Sequence, residues 1–298
     1  MIKATTFPDS LLPQAHEALV LAWRRARLSR LTAADGWLSL AGRVWLHEGD
    51  NSLGTDDDAD VKLPQGKADA HLGVLRVRDS AVSFVPAQGA QVAVRRAGNA
   101  YQSAVHEPVL LTTDAHAAPD RLIVGSLTLE VMQRAGELAV RIRDAQSATR
   151  VGFPGLDYYP ISTRFRIVAQ LQRYEPVKAL ELAYESGRVE PYVSPGAAVF
   201  ELDGVEHRLD PVIDGNGERL FVLFWDLTSR DQSYGAGRFL YAPMPQDGRV
   251  LLDFNQAFNP PCAFTPYAFC PLTPPQNRLA LRIEAGEKRP LDPPVQVL

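Results

Sequence analysis

A proline-rich stretch near the C-terminus restricts the fold of this chain more than any other feature. Asn259 to Pro275 contains six prolines, three large aromatic residues and both cysteines of the protein. Proline lacks a backbone N–H and has a fixed φ, so this composition excludes a helix and opposes a regular strand. Phe258, Phe264, Tyr267 and Phe269 can anchor the segment by burying apolar area. We therefore expect a rigid, ordered loop, a kind of segment that often carries binding or catalytic residues.

The segment just before this loop has the alternation of a strand. In Arg249–Asn255 the side chains of Leu251, Asp253 and Asn255 fall on one face, because successive residues of a strand point to opposite sides. A carboxylate and an amide are thereby placed next to each other, beside the proline-rich loop.

Length and charge limit the classes of protein that need to be considered. The chain has 298 residues, a length that favours two domains or one large β domain, and we expect two. It has 31 basic and 35 acidic residues and a net charge of −4, so we expect neither nucleic acid nor a membrane among its partners. The first thirty residues lack the apolar run of a signal peptide, which predicts a cytoplasmic protein.

One helix is predicted near the N-terminus, over Pro13–Leu31, because apolar residues recur there at helical spacing. This apolar stripe is expected to dock on the rest of the protein. Its members are Ala15, Ala18, Leu19, Ala22, Trp23 and Ala26.

After the helix, the first half of the chain has short apolar segments separated by Gly, Asp, Asn and Pro, a pattern typical of a β-sandwich. The predicted strands are Trp37–Leu46, Gly73–Val77, Ala81–Val85, Val92–Arg95, Val109–Thr112, Leu127–Arg134 and Leu138–Arg143. Val151–Ile161 mixes glycine and proline with aromatic residues and is expected to join the two halves as a packed, rigid connector.

The second half repeats the strand pattern with no long helix between strands, which favours an antiparallel sandwich or barrel over parallel βαβ units. Its predicted strands are Arg164–Arg173, Ala179–Tyr184, Ala197–Leu202, Val205–Leu209, Leu220–Asp226, Gly237–Tyr241, Arg249–Asn255 and Leu279–Glu284. Asp203 and Gly204 predict a two-residue hairpin turn. The predicted fold is all-β, with residues 1–150 forming an N-terminal helix plus sandwich and residues 151–298 forming an antiparallel β domain.

Several motifs resemble one uncharacterised bacterial family, the domain of unknown function sixteen eighty-four. They are GRFL, LDFN, NPPCAFTPYAFCPLTPPQNRL and AGEK, together with WLSLAGRVWLHEGDNSLG in the first half and FWDLTSRDQSYGAGRFL in the second. On these motifs the resemblance is expected to cover nearly the whole chain. The family implies no activity, cofactor or catalytic residue.

The segment EGDNSLGTDDDADVKLP, followed by Ala70, His71 and Leu72, is similar to the forkhead-associated sandwich. That resemblance implies a β-sandwich in the first half. The phosphothreonine site of such domains uses a glycine–arginine pair and a serine and arginine before the histidine. This chain has Thr55 after Gly54, and it has Ala68 and Asp69 before His71.

Polar residues of the second half are the candidates for a ligand-binding site. They are Asp226, Tyr234, Arg238, Asp253, Asn255, Asn259, Asn277 and Glu287. Together they could hold a small polar or anionic ligand or a peptide, with Arg238 paired to a carboxylate and keeping donors free for the ligand. The alternative is structural: Asp253 and Asn255 cap backbone amides of the loop, and Arg238 forms a buried ion pair.

Three functions follow from these patterns, with a binding module preferred. A hydrolase using Asp226, Asp253 or Glu287 as acid and base is the alternative, and a structural or partner-docking protein is the third. Catalytic residues stay unknown, and neither a cofactor nor a metal is expected, since phosphate-loop, HExxH and nucleophile-elbow motifs are missing from the sequence. Cys262 and Cys270 could be packing thiols, a disulfide or half of a metal site, and we expect them reduced and metal-free.

Overall fold

The computed structural model describes residues 12–99, 101–115, 118–134, 136–184, 187–215 and 217–291. These residues form two compact units. The sandwich unit is Leu31–Phe153, and the C-terminal unit combines the described parts of Met1–Arg30 and Pro154–Leu298. The division after Phe153 lies close to the predicted boundary at residue 150. The N-terminal helix, which the prediction grouped with residues 1–150, belongs mainly to the C-terminal unit.

The sandwich unit consists of two antiparallel-rich sheets around one core, as the all-β prediction requires. Its strands are β1 (Leu40–Trp45), β2 (Gly49–Gly54), β3 (Val61–Lys62), β4 (Gly73–Arg78), β5 (Ala81–Pro86), β6 (Ala93–Arg95), β7 (Gln102–Ala104), β8 (Val109–Leu111), β9 (Arg121–Val124), β10 (Leu127–Arg134) and β11 (Glu137–Asp144), with a short helix at Ala148–Val151. The sheet orders are β1-β11-β10-β9-β6-β7 and β3-β2-β4-β5-β8. Alternating residues such as Leu129 and Val140 fill the core between them.

The sequence analysis missed four of these strands, β2, β3, β7 and β9. Glycine, aspartate and asparagine dominate Gly49–Gly54, and such residues are rare in strands, so local propensity gave no signal there. Tertiary contact sets the conformation instead. A Cβ at Gly54 would lie 1.8 Å from the carbonyl oxygen of Ala70, so only glycine fits where these two backbone segments meet.

The C-terminal unit contains a long helix and two further sheets. The helix is α1 (Pro13–Thr32) and the strands are β12 (Arg166–Ala183), β13 (Val189–Leu202), β14 (Val205–Leu209), β15 (Val212–Ile213), β16 (Arg219–Phe224), β17 (Arg238–Pro243) and β18 (Arg249–Asp253). The sheet orders are β14-β13-β12-β18 and β15-β16-β17. Both sheets contribute to a second hydrophobic core, which includes Ala169, Phe224 and Leu252. The predicted hairpin at Asp203 and Gly204 is present, with both residues at positive φ.

One strand prediction in this unit was wrong, and two others describe a single strand. The predicted strands Arg164–Arg173 and Ala179–Tyr184 both overlap β12, whose pairing with β13 shifts register between Arg173 and Lys178. Pro176 lies within that irregularity, where a missing N–H does not interrupt the ladder. Leu279–Glu284 forms no strand, because it makes only scattered backbone hydrogen bonds, such as those from Leu279 N to Trp225 O and from Leu227 N to Leu281 O.

The proline-rich loop is ordered and irregular, as predicted. It contains two single turns of 3₁₀-helix, at Pro261–Ala263 and Pro275–Asn277. Phe264 is buried and Phe269 stacks on Tyr184 with ring centroids 4.2 Å apart. Tyr267 does not anchor the loop, since it is exposed.

Helix α1 docks through a different face from the predicted one. The buried positions include His16, Val20 and Arg27, whereas Leu19 is 58% exposed and the alanines of the predicted stripe face solvent. The reason is that the surface under the helix contains the carboxylates of Asp253 and Glu287, which accept hydrogen bonds from His16 and Arg27. A polar partner surface overrides the apolar periodicity of the helix. Neither described helix has the length and hydropathy to span a membrane.

Candidate functional site

A cavity of about 630 Å³ lies beside α1 within the C-terminal unit. One wall is formed by α1 residues that include His16, Glu17, Leu21 and Arg24, and the other by residues 160–163. We call it the helix cavity. It combines an imidazole, a guanidinium, a carboxylate and two hydroxyl-bearing residues in one concave surface, which suits recognition of a small polar molecule.

His16 is held against this cavity by the carboxylate of Asp253, the last residue of β18. Its Nε2 donates to Asp253 Oδ2 at 2.9 Å, and the imidazole is almost fully buried. Asp253 also accepts from the backbone N–H and side-chain amide of Asn255 and from Gln256 Nε2. The other ring nitrogen, Nδ1, is buried and has no hydrogen-bond partner in the described part of the chain. Its hydrogen-bonding capacity is therefore unused.

Asn255 fixes the opposite wall. Its Oδ1 accepts from the backbone N–H of Ser162 at 2.9 Å and its Nδ2 donates to the carbonyl of Ser162 at 2.8 Å. Asn255 itself is fully buried. The predicted pair Asp253 and Asn255 therefore positions both walls of the cavity from behind: Asp253 orients His16, and Asn255 clamps Ser162. The structural alternative had them cap amides of the proline-rich loop, whereas the amides that they bind are those of Asn255 and Ser162, outside that loop.

Arg24 provides the positive charge of the helix cavity. Its Nη2 donates to the carbonyl of Tyr159 at 2.9 Å, and its guanidinium carbon lies 4.2 Å from the centroid of the Tyr158 ring. The Nε atom is buried with no partner among the described residues. Burial lowers the pKa of Arg24, against the opposing influence of Tyr158 and Glu287. A half-buried guanidinium with an unused donor gains from an anionic partner.

Below the cavity, Arg27 and Glu287 form a buried ion pair. Arg27 Nε donates to Glu287 Oε1 at 2.9 Å and Arg27 Nη2 donates to the carbonyl of Asn259 at 3.0 Å. Glu287 Oε2 accepts from the N–H of Asn259 at 2.7 Å. The preceding Gly286 has φ +79°, and a Cβ there would lie 2.5 Å from the carbonyl oxygen of Ala257. Only glycine allows the chain to approach this closely and place Glu287 under the helix.

Arg238 and Asp226 form a separate buried centre. Arg238 is fully buried and donates to Asp226 Oδ1 at 2.9 Å, to Ile283 O at 2.9 Å and to the carbonyl of Ala285. Asp226 also accepts from the backbone N–H groups of Thr228 and Ile283. The guanidinium thus supports the core instead of offering donors at a pocket surface, and the structural alternative describes it better than the predicted ligand role does. The prediction assumed an accessible strand face, but the segment 283–287 covers it.

The remaining predicted residues lie in other places. Asn277 is fully buried, accepts from the N–H of Asp210 and donates to the carbonyls of Asp210 and Leu223. Tyr234 is half-buried and its hydroxyl lies 3.7 Å from Cys262 Sγ. The eight candidates are therefore divided among several local networks and do not line one pocket.

The carboxylates proposed for a hydrolase do not form a pair. Asp226, Asp253 and Glu287 each bind a different basic side chain, respectively Arg238, His16 and Arg27. General acid–base catalysis needs two groups that can reach one substrate, so this separation disfavours the paired-carboxylate mechanism. Among the described residues, His, Cys, Asp and Glu side chains form no group of three suited to a metal ion.

A second cavity of the C-terminal unit, about 530 Å³, is lined by Tyr159, Gln232, Lys288 and neighbouring residues. Two pairs of its polar side chains are engaged with each other. Lys288 binds Asp157 at 3.0 Å and the Tyr159 hydroxyl donates to Gln232 Oε1. It offers less unused hydrogen-bonding capacity than the helix cavity does.

Sequence reasoning missed His16, Arg24 and Ser162. A signal was present in α1, because His16, Val20, Arg27 and Leu31 recur at helical spacing and all four are buried. Polar residues within such a stripe indicate a helix that docks on charged groups. Ser162 had no comparable signal, since its place depends on contacts with Asn255, 93 positions away.

Comparison with known proteins reaches the same half of the chain. Residues 151–288 match the family described as "Protein of unknown function (DUF1684)". The C-terminal half belongs to DUF1684. The match covers about half of the chain, so the expected coverage of nearly the whole chain was too broad, and the motif WLSLAGRVWLHEGDNSLG lies outside it. The residues that match DUF1684 include one wall of the helix cavity, residues 160–163, and the supporting Asp253 and Asn255. The other wall belongs to α1, which precedes the matched residues.

A solved structure also matches, the solution NMR structure of an uncharacterized protein from Haloarcula marismortui. It is 32% identical, covers 47% of this chain and 78% of its own, and has a TM-score of 0.39. No curated protein matches the chain.

Proposed function

We propose that the protein is a binding module that holds a small polar ligand with at least one anionic group in the helix cavity. The observation that carries this proposal is the pair of unused, buried nitrogen atoms on the cavity residues His16 and Arg24. Buried polar atoms without partners are costly, so a ligand that satisfies them gains affinity.

The surrounding geometry supports an anionic ligand group. Arg24 is the basic residue of the cavity wall and stacks on Tyr158, which limits its rotation before a ligand arrives. Ser162 and Thr163 add hydroxyl groups on the opposite wall. Glu17 lines the same cavity, so a ligand that also has a hydrogen-bond donor or a positive group fits better than a simple anion does.

Thermal unfolding in the presence of anions tests the proposal. Phosphate, sulfate and succinate are titrated at constant ionic strength, and succinate represents the carboxylates. Saturable binding to the folded state raises the melting temperature, and the increase grows with the logarithm of ligand concentration above the dissociation constant. We expect such a response for at least one of the three probes, and we expect Arg24→Gln to weaken that probe's binding by about tenfold, as for the loss of one charge-assisted contact.

The matched control is Arg25→Gln, which removes the same charge from the next position of α1. Arg25 is exposed and does not line the helix cavity. Equal losses in both variants would mean that the response comes from net charge and would overturn the proposal. The same conclusion follows if none of the three probes stabilises the wild-type protein. In that case partner docking, for which the exposed Leu19 and Leu28 of α1 offer a surface, becomes the better alternative.

We also infer a cytoplasmic location. Cys262 and Cys270 are in the thiol form, which agrees with a reducing compartment. The binding function requires no cofactor, and the proposed ligand is the partner that we infer.

A further inference from the structure

The sandwich unit contains a cavity of its own, about 520 Å³, which is lined by Asp35, Arg95, Arg96, Arg121 and parts of residues 97–99 and 118–119. We call it the sandwich cavity. It lies at different residues from the Gly54–His71 segment that resembles forkhead-associated domains. Three of its four charged residues are arginines, so the cavity is basic.

Two of the arginines are opposed across a strand pair. Arg95 of β6 and Arg121 of β9 are direct antiparallel partners, with Val94 paired to Leu122 next to them. Like charges directly opposite each other destabilise a sheet unless counter-charges compensate them. This arrangement therefore needs negative charge close to both guanidinium groups.

The protein provides that negative charge for Arg121 but not for Arg95. Arg121 lies 3.5 Å from Asp35 and 3.3 Å from Glu130. Glu130 is shared with Arg141 at 2.8 Å and with Arg143 at 3.8 Å, so its charge is already divided. No carboxylate in the described part of the chain forms an ion pair with the half-buried Arg95.

The third arginine is engaged by a well-held carboxylate. Arg96 donates to Asp120 Oδ2 at 2.9 Å and to the carbonyl of Leu110. Burial tends to raise the pKa of Asp120, but hydrogen bonds from the N–H groups of Thr112 and Ala97 and from Arg96 outweigh it and hold the pKa below its usual value. The lining of the cavity thus has three guanidinium groups and one carboxylate, Asp35, while Glu130 and Asp120 contact Arg121 and Arg96 from outside the lining.

We propose that the sandwich cavity binds a small tetrahedral oxyanion of the phosphate type, with Arg95 and Arg121 as its principal ligands. Planar guanidinium groups bind such oxygens through paired N–H donors, and a bound dianion would neutralise the opposed charges of the two strands. The site is independent of the helix cavity, because it is built from residues of the sandwich unit alone.

Calorimetric titration of the full-length chain with inorganic phosphate tests this, with chloride at equal ionic strength as the blank. The titration uses the Arg24→Gln background, which removes the principal anion contact of the helix cavity and keeps the two proposals distinguishable. We expect one saturable site that weakens by about tenfold when Arg95→Gln is added, as for the loss of a charge-assisted contact. Arg78→Gln, an exposed arginine at the end of β4, should change the affinity less than about twofold.

Thermal unfolding separates a binding role of Arg95 from a structural one. In phosphate-free buffer Arg95→Gln should leave the melting temperature unchanged or raise it, because the substitution removes one of two opposed charges. Phosphate should raise the melting temperature of the Arg95→Gln variant less than it raises that of the parent protein. A variant that melts lower in phosphate-free buffer, a titration that shows no saturable phosphate site, or a site that survives Arg95→Gln with full affinity would each overturn the proposal.

Discussion

At the scale of single residues, burial decides which charged groups bind ligands and which maintain the fold. Arg238 is fully buried and its hydrogen bonds reach Asp226, Thr228 and three backbone carbonyls. We expect Arg238→Lys to lower the free energy of unfolding by about 3 kcal/mol, because a lysine ammonium cannot reproduce this fork of donors and leaves buried acceptors unpaired. Urea denaturation of both proteins measures the change.

Arg230→Lys is the control, since Arg230 is exposed near the same ion pair and its loss should cost less than about 0.5 kcal/mol. A small effect of Arg238→Lys on unfolding, combined with lost anion binding, would return Arg238 to the role that the sequence predicted. The sequence was enough to expect an Arg238–carboxylate pair, because the hairpin between β16 and β17 brings Asp226 and Arg238 together. It was not enough to show burial, which depends on residues 283–287 folding over the pair.

At the scale of secondary-structure elements, strands with strongly alternating residues could be predicted. The docking of α1 on buried carboxylates could not. Strand β10 has the predicted bounds, and the hairpin at Asp203 and Gly204 has the predicted turn, because local pattern and tertiary packing agree there. The position of helix α1 in the sequence was predicted correctly, but the face that it buries was not. Its periodicity gave equal weight to small alanines that cover little area, while the carboxylates that select the docking face are far away in sequence.

Adjacent residues of α1 test the corrected face. Val20→Ala should lower the free energy of unfolding of the C-terminal unit by about 2 kcal/mol, because two methyl groups leave a fully buried position. Leu19→Ala should change it by less than about 0.5 kcal/mol, since Leu19 is 58% exposed. Chemical denaturation followed by tryptophan fluorescence, in a parent chain with Trp37→Phe and Trp45→Phe so that Trp23 and Trp225 give the signal, reports on this unit. The reverse order of the two effects would restore the predicted apolar face.

At the scale of the whole molecule, the sandwich unit is formed by one continuous segment and the C-terminal unit by two separate segments. The sandwich unit is one segment with its own core, so Leu31–Phe153 should fold when expressed alone. The C-terminal unit includes α1 as far as Arg30, although α1 precedes the residues that match DUF1684. The rigid connector proposed for Val151–Ile161 stays a prediction, while the division into two separately cored halves could be read from the two series of strands.

The same contacts predict how residues 154–298 behave without the helix. Removal of α1 takes His16 from Asp253 and Arg27 from Glu287, and it exposes the apolar area that the helix covers at Val20. We expect this fragment to melt well below the intact chain, and a synthetic peptide of residues 12–30 to restore stability in a concentration-dependent way, as for any ligand of the folded state. A peptide with His16→Ala and Arg27→Ala should restore little, because it keeps the helix but lacks both side chains that bind the carboxylates. Equal rescue by the two peptides would show that α1 docks mainly through apolar contacts, and a fragment that melts like the intact chain would show that the carboxylates do not depend on the helix.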